Sequence, residues 1–247
     1  MKNDEQKISI IIKTSNSGET LINTLEAIST LGEIIAIDEH STDDTADILN
    51  EYKVKIIFTD KFDCAAAYNQ AIEEAKGDWI LMLEDDEIVQ DDLLFELENY
   101  AKNPKKNKFA LSFDIKTFYL NKEIKCAKRK NVLKFFKKGY CEFKNANLKI
   151  KAGKVNKIKG KCILKYVSGD IAKFLNNVVD KNRIKLKNTD KIVPSPVLKP
   201  VFEFIKYYIF KLGFIDGYRG FIYAKERYIE KFALEVMFLE KNFKENK

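Results

Sequence analysis

Four consecutive acids, Glu84-Asp85-Asp86-Glu87, follow the unbroken apolar run Trp79–Leu83. A run of that length and composition suits a strand buried on both faces. A buried strand that delivers carboxylates to its C-terminal edge is how open α/β sheets build ligand sites. Crowded carboxylates repel one another, and a hard divalent cation relieves the repulsion. Such a cation keeps waters and takes its other ligands from substrate phosphates, so the chemistry that fits is a metal-bound nucleoside diphosphate. The same acids also suit a solvated turn that opens the next helix, where negative charge favours the first turn. On these residues alone both readings stay open.

The elements that would position the acids can be read in order. Ile8–Ile12 is an apolar β-branched strand, followed by the polar turn Lys13-Thr14-Ser15-Asn16-Ser17-Gly18. Leu21, Leu25 and Ile28 mark a helix stripe. Residues 33–38 form a second strand ending in Asp38, and Ser41 to Asp44 has capping-box spacing ahead of a helix with Ala46, Leu49 and Tyr52 inward. A third strand covers Val54–Phe58. A helix over 65–76 stops at Gly77, the Trp79 strand is the fourth, and Leu93, Leu94, Leu97 and Tyr100 line a helix that ends before Pro104. This alternation predicts an α/β fold with a Rossmann-like, mostly parallel sheet flanked by helices. No Gly-x-Gly-x-x-Gly follows the first strand and no Walker-type phosphate loop is present, which argues against the usual dinucleotide and P-loop functions.

The chain has 247 residues, 45% of them hydrophobic and 12% aromatic, with a formal net charge of +7. Residues 1–100 hold 24 acids against 7 bases, a net of −17; the rest hold 37 bases against 13 acids, a net of +24. A division of labour between an acidic and a basic half follows. The basic half suits anionic lipid, a phosphorylated acceptor or nucleic acid, or is simply well solvated; it carries no recognisable RNA or DNA module, so no nucleic-acid partner is expected. Cys64, Cys126, Cys141 and Cys162 lack Cys-x-x-Cys spacing, which disfavours a zinc site and suits a reducing cytoplasm. Residues 1–7 are polar, giving no secretion signal, and no apolar segment reaches bilayer-spanning length.

Beyond Phe109 short apolar stretches (109–113, 117–120, 132–136, 161–167) alternate with lysine-rich turns and predict an irregular, mostly antiparallel segment. Residues 170–187 read as a helix. Val193-Pro194-Ser195-Pro196 and Pro200 read as a linker. Residues 201–243 read as an aromatic helical tail, which lies on a membrane surface or packs as a helical pair on the core. The expected division is an acidic α/β half over residues 1–108, a basic segment over 109–192 and the helical tail over 193–247.

Three motifs in order carry a resemblance. They are Ile37-Asp38-Glu39-His40-Ser41-Thr42-Asp43-Asp44-Thr45, then Tyr68-Asn69-Gln70-Ala71, then Gly77-Asp78-Trp79-Ile80-Leu81-Met82-Leu83-Glu84-Asp85-Asp86-Glu87. Together they resemble the GT-A fold of family-two glycosyltransferases. The stretch from Lys199-Pro200 through Phe204 to Phe221 is similar to the C-terminal signature of bacterial lipopolysaccharide-core β-glucosyltransferases. The resemblance implies an inverting enzyme that moves a hexose from a UDP-sugar donor to a lipid-linked or phosphorylated oligosaccharide acceptor of a lipopolysaccharide or lipooligosaccharide core. It would be cytoplasmic and peripheral to the inner membrane. It implies that Glu84 and Asp86 hold Mg²⁺ or Mn²⁺ and through it the diphosphate, and that Thr14 and Asp38 face the nucleotide. Asp85, Asn69 and His40 join the cofactor-binding set, His40 lining the nucleotide loop unless it merely caps a helix.

Three departures accompany the resemblance. Ala146-Asn147 stands where the subgroup has a His-Glu pair, leaving Glu142 as the candidate general base. Tyr68 replaces a common arginine, and Lys165-Tyr166 replaces His-Tyr. The competing expectation is a GT-A-like protein that binds nucleotide or a partner without turnover.

Overall fold

A computed structural model describes residues 8–60, 64–144, 147–167, 169–187 and 195–245. Val193, Pro194 and Ala146, named above, lie outside them. The chain divides into two compact units, 1–115 with 129–166, and 116–128 with 167–247.

In the first unit the β-α alternation begins as expected. Strands β1 (Ile8–Thr14), β2 (Glu33–Asp38), β3 (Lys55–Phe58) and β4 (Trp79–Glu84) are separated by helices α1 (Gly18–Ile28), α2 (Thr45–Glu51) and α3 (Cys64–Glu74). The four strands pair in parallel in the order β3-β2-β1-β4. The short β5 (Glu87–Val89) and helix α4 (Asp91–Lys102) follow. Ile10, Ile11 and Ile12 are all fully buried, because helices cover both faces of the sheet; each such side chain contributes about 1.5–3 kcal/mol of burial. Trp79 stacks on Phe135 at 5.0 Å and meets the ring edge of Tyr100 at 5.6 Å, which fixes the start of β4.

Beside the short β5, the other half of the sheet gathers the four apolar stretches of the sequence pattern into three longer strands. They are β6 (Lys108–Tyr119), β7 (Lys122–Lys137) and β10 (Lys154–Val167), with β8 (Cys141–Lys144) and β9 (Asn147–Ile150) forming a separate two-stranded sheet. Lysines such as Lys125, Lys157 and Lys159 interrupt the apolar runs from exposed positions of continuous strands, while Lys134 is buried. Leu120 and Asn121, both at positive φ, make the two-residue turn between β6 and β7. The full order is β3-β2-β1-β4-β7-β6-β10-β5, with β7 antiparallel to β4 and β10 antiparallel to β5. The expected GT-A-type α/β sheet is therefore present, its parallel half joined to an antiparallel half.

Three local expectations are corrected. Leu49 of α2 is buried as expected and Tyr52, half-buried, packs against the core, but Thr45 and Ile48 are buried in place of the half-buried Ala46. Helix α3 ends at Glu74, so Gly77 does not stop it. Gly77 instead lies against β1, where a Cβ would come within 2.6 Å of the Ser9 nitrogen, and its N–H donates to Ser9 Oγ at 2.9 Å. Pro200 sits in the first turn of a helix rather than in a linker, a position where a missing N–H costs nothing.

The second unit contains α5 (Ile171–Lys187), α6 (Leu198–Ile205), a π-helical turn at Lys206–Phe210, a 3₁₀ turn at Gly213–Asp216 and the long α7 (Gly217–Glu245). The expected helical tail is present, broken at Leu212 where φ is +61°. Asp170 opens α5 by accepting from the N–H groups of Ala172 and Lys173 at 2.8 and 3.2 Å. Asp216 accepts from the Cys126 N–H at 3.0 Å, and Glu230 ties α5 to α7 through Lys181 and Lys185.

Candidate active site

Strands β1, β2 and β4 end along one edge of the parallel sheet. Thr14 pairs in register with Asp38, and Lys13 with Glu84. Asp38 is 1% exposed and fully engaged. Its Oδ1 accepts from the hydroxyls of Thr14 at 2.9 Å and Ser41 at 2.6 Å, and its Oδ2 from the Ser41 N–H at 2.8 Å. Ser41 Oγ in turn accepts from the Asn16 N–H at 2.9 Å. These bonds lock the loop after β1 to the loop after β2.

The predicted capping box is absent for that reason. His40 adopts a φ of +53°, which turns Ser41 back onto Asp38, and α2 starts only at Thr45. Asp43 takes over locally, accepting from the Thr45 N–H at 3.1 Å, the Thr45 hydroxyl at 2.5 Å and the Gly18 N–H at 3.1 Å. Burial pushes the Asp43 carboxyl up, but these bonds outweigh it and hold it below its ordinary value. The His40 ring stacks on Phe58 at 5.5 Å with the planes 9° apart. Both rings are largely exposed, at the ends of β2 and β3.

The acid turn is closed by basic side chains from strands distant in sequence. Glu87 on β5 pairs in register with Lys165 on β10. The Lys165 ammonium is hydrogen-bonded to Glu84 Oε2, and it lies 2.7 Å from Asp86 Oδ1. Lys134 on β7 reaches Glu87 Oε2 at 2.7 Å and Glu84 Oε1 at 3.9 Å, and Arg129 reaches Glu87 Oε1 at 3.3 Å. Glu87, 0% exposed, also accepts from the Glu84 N–H at 2.9 Å. Asp85 faces the other way, toward α1: Thr20 donates to its carboxylate at 3.4 Å and Thr24 to its carbonyl at 2.8 Å.

The electrostatics follow from this pairing. Burial disfavours the Glu84 charge, yet Lys165 and then Lys134 overcome it and hold the carboxyl well below the carboxylate range. Asp86 is pushed up to about 6, by burial first, with Asp85 and Glu84 adding repulsion that Lys165 only partly offsets. Burial also works against the Lys165 ammonium, but Asp86, Glu84 and Glu87 raise its pKa far above the lysine range.

Mg²⁺ or Mn²⁺, expected on Glu84 and Asp86, would need those oxygens free to enter a near-octahedral shell. Both carboxylates are instead turned onto an ammonium. The residues in this arrangement do not fit a divalent cation.

Two further candidates are committed to structure. Asn69 donates to the Phe143 carbonyl at 3.0 Å and accepts from the Phe143 N–H at 2.9 Å, while Tyr68 stacks on the Phe143 ring at 4.3 Å. These contacts clamp α3 to β8. Glu142 on β8 lies between Lys144 and Lys151, each at 2.7 Å. Hydrogen bonds from Lys144 and then Lys151 lower its pKa. A general base works best with a pKa near the operating pH, so Glu142 held this way is a weak one.

Sequence reasoning counted Glu87 in the acid run without giving it a role, and it missed Lys134, Arg129 and Lys165 as members of the site. Its one trace was the Lys165-Tyr166 pair in place of His-Tyr.

Comparison with known proteins identifies a family and a shared fold. The profile of the family described as Glycosyl transferase family 2 matches residues 9–153. A poly-beta-1,6-N-acetyl-D-glucosamine synthase of Staphylococcus epidermidis is 31% identical over 148 residues, 51% of this chain and 35% of that protein. The poly(ribitol-phosphate) beta-N-acetylglucosaminyltransferase TarP of Staphylococcus aureus is 25% identical over 199 residues, 75% of this chain and 54% of that protein. The chain thus spans about a third to about half the length of these curated relatives. The crystal structure of S. aureus TarS 1-349 shares the fold, with a TM-score of 0.50 at 16% identity, covering 95% of this chain and 92% of that one. TarS 1-349 has also been solved in complex with UDP-GlcNAc, with a TM-score of 0.50 at 15% identity, covering 95% of this chain and 92% of that one.

Proposed function

The chain belongs to glycosyl transferase family 2, and on that premise we propose that it transfers a hexose from a UDP-sugar to an anionic, lipid-linked surface glycan with inversion at the anomeric carbon. The observation that carries the proposal is the shared edge: Thr14, Asp38 and Glu84 end three neighbouring parallel strands, Thr14 in register with Asp38 and Lys13 with Glu84. A nucleotide laid across such an edge meets its base and ribose at the Asp38 loop and its diphosphate at the acid turn. His40 and Phe58 offer an exposed aromatic rim beside that loop.

The acceptor is proposed on two supports. The tail signature over 199–221 resembles lipopolysaccharide-core glucosyltransferases, while TarP acts on poly(ribitol-phosphate) by its name. The chemistry common to both is a phosphate-bearing glycan, which suits the net charge of +24 after residue 100.

A cytoplasmic position on the inner membrane surface completes the proposal. No helix among the described residues is long and apolar enough to cross a membrane. In the second unit Phe202, Ile209, Phe210, Phe214 and Ile215 are exposed close in sequence to Lys206 and Lys211. An apolar patch with a basic fringe suits insertion among anionic headgroups.

A second reading, nucleotide binding without turnover, is favoured by Glu142 being tied to two lysines. UDP release from a panel of UDP-hexoses, with phosphorylated core oligosaccharide and poly(ribitol phosphate) as acceptors, separates them. Acceptor-stimulated release supports transfer, whereas UDP binding without release under any pairing supports the second reading.

A further inference from the structure

The salt bridge joining Glu84, Lys165 and Asp86 stands where a divalent cation was expected. We infer that Lys165 is this chain's built-in replacement for that cation: its ammonium neutralises the acid turn and faces the donor diphosphate, so UDP binds without Mg²⁺ or Mn²⁺. The inference rests on the UDP-sugar reading above and specifies how that donor is held.

Position comes first. Lys165 is not a loose surface side chain that has drifted onto two acids. Its backbone is fixed by the β5–β10 register opposite Glu87, and the next residue, Tyr166, donates its N–H to the Asp86 carbonyl at 2.8 Å. The strand that carries the lysine and the turn that carries the acids are thus bonded together, and the ammonium is delivered between Glu84 and Asp86 by main-chain geometry.

Charge comes second. Glu84, Asp86 and Glu87 face Lys165, Lys134 and Arg129, three carboxylates against three cations. Each of these acids has a basic partner, so a dianionic group approaching the turn meets three of its four carboxylates already compensated, while Asp85 turns toward α1. In a metal-dependent site the metal performs that neutralisation. Here a divalent ion would first have to displace the Lys165 ammonium from Glu84 and Asp86, giving up both of its ion pairs.

Donor capacity comes third. An ammonium has three N–H donors. Two of them serve Glu84 and Asp86, leaving one for a phosphate oxygen. The Lys165 side chain is 18% exposed and that of Glu84 40%, so the group can be reached from solvent. Lysine binds phosphate as a point charge, the role the metal would otherwise fill.

The test uses the full chain. UDP affinity is measured calorimetrically in EDTA and in millimolar Mn²⁺ or Mg²⁺, and Mn²⁺ binding is followed separately by electron paramagnetic resonance. The inference expects the same UDP affinity in all three media and no Mn²⁺ bound by the wild type. Lys165→Met loses about 10- to 100-fold in UDP affinity in EDTA, the worth of one charge-assisted hydrogen bond, and gains Mn²⁺ binding at the freed carboxylates. Should Lys165→Met fail to fold, Lys165→Arg keeps the charge and must retain metal-independent UDP binding. UDP binding that appears only with metal, or Mn²⁺ bound by the wild type, overturns the inference and leaves the donor reading standing. No UDP binding in any medium overturns both.

Discussion

Thr14 and Asp38 face each other in register across β1 and β2, and the Thr14 hydroxyl donates to the Asp38 carboxylate at 2.9 Å. With two further bonds from Ser41, that carboxylate holds two loops together at the sheet edge. Replacing Asp38 by Ala strands a buried hydroxyl and a backbone N–H, which costs about 2–4 kcal/mol. Urea denaturation of Asp38→Ala should show the loss, and UDP affinity should fall with it. Asp38→Asn, which keeps one acceptor, should be milder in both.

Glu87 is the hidden support of the acid turn. It is 0% exposed and ion-paired to Lys134 and Arg129. Removing one partner of a buried pair costs about 3–5 kcal/mol, because the other charge is left without compensation. Glu87→Ala should show that loss in the denaturant midpoint. The double variant Glu87→Leu with Lys134→Met should recover a large part of it, since a buried pair exchanged for apolar residues is often near neutral. A fully additive double loss would mean that the two charges are not coupled.

Glu230 supplies a pH dependence. Burial raises its pKa, but Lys181, Arg227 and Lys185 outweigh burial and hold it below its ordinary 4.5. A carboxylate with a depressed folded pKa stabilises the protein above its unfolded value, and that contribution is lost as pH falls through the folded one. Glu230→Gln should therefore lower stability at neutral pH and flatten the loss of stability below pH 4.5. Chemical denaturation across that range measures both.

The tail proposal predicts a surface effect without a folding effect. Phe210 is 72% exposed and Phe214 51%. The variant Phe210→Ser with Phe214→Ser should keep its melting temperature and bind anionic vesicles about a hundredfold or more weakly in co-sedimentation, since each exposed aromatic adds about 1.5–3 kcal/mol when buried. Binding should also weaken with added salt, as the contribution of Lys206 and Lys211 is screened.

The parallel half of the fold was legible because each of its strands is a short apolar run bounded by turn chemistry, and β2 was read to the residue as 33–38. The acid turn was legible for the same reason. What closes it was not, since Lys165 is 79 positions from Asp86 and meets it only through the β5–β10 register. No local pattern encodes which of many lysines a long strand will set opposite a given acid. The long strands β6, β7 and β10 were hidden by their lysines, which break an apolar run in sequence whether they point outward, as Lys125 and Lys157 do, or into the acid turn, as Lys134 and Lys165 do. Ser41 misled because Ser-x-x-Asp spacing is shared by a capping box and by a loop that folds back on Asp38. Asn69 was readable as part of a motif, but its two hydrogen bonds to Phe143 depend on β8, 74 residues further along.

A crystal of the chain soaked with UDP tests the central claim most directly. The account predicts the uracil and ribose beside Thr14, Asp38 and the His40–Phe58 rim, with the diphosphate at the turn formed by Glu84, Asp86 and Lys165. UDP bound elsewhere on the chain, or no UDP at a concentration that saturates other members of the family, would contradict it.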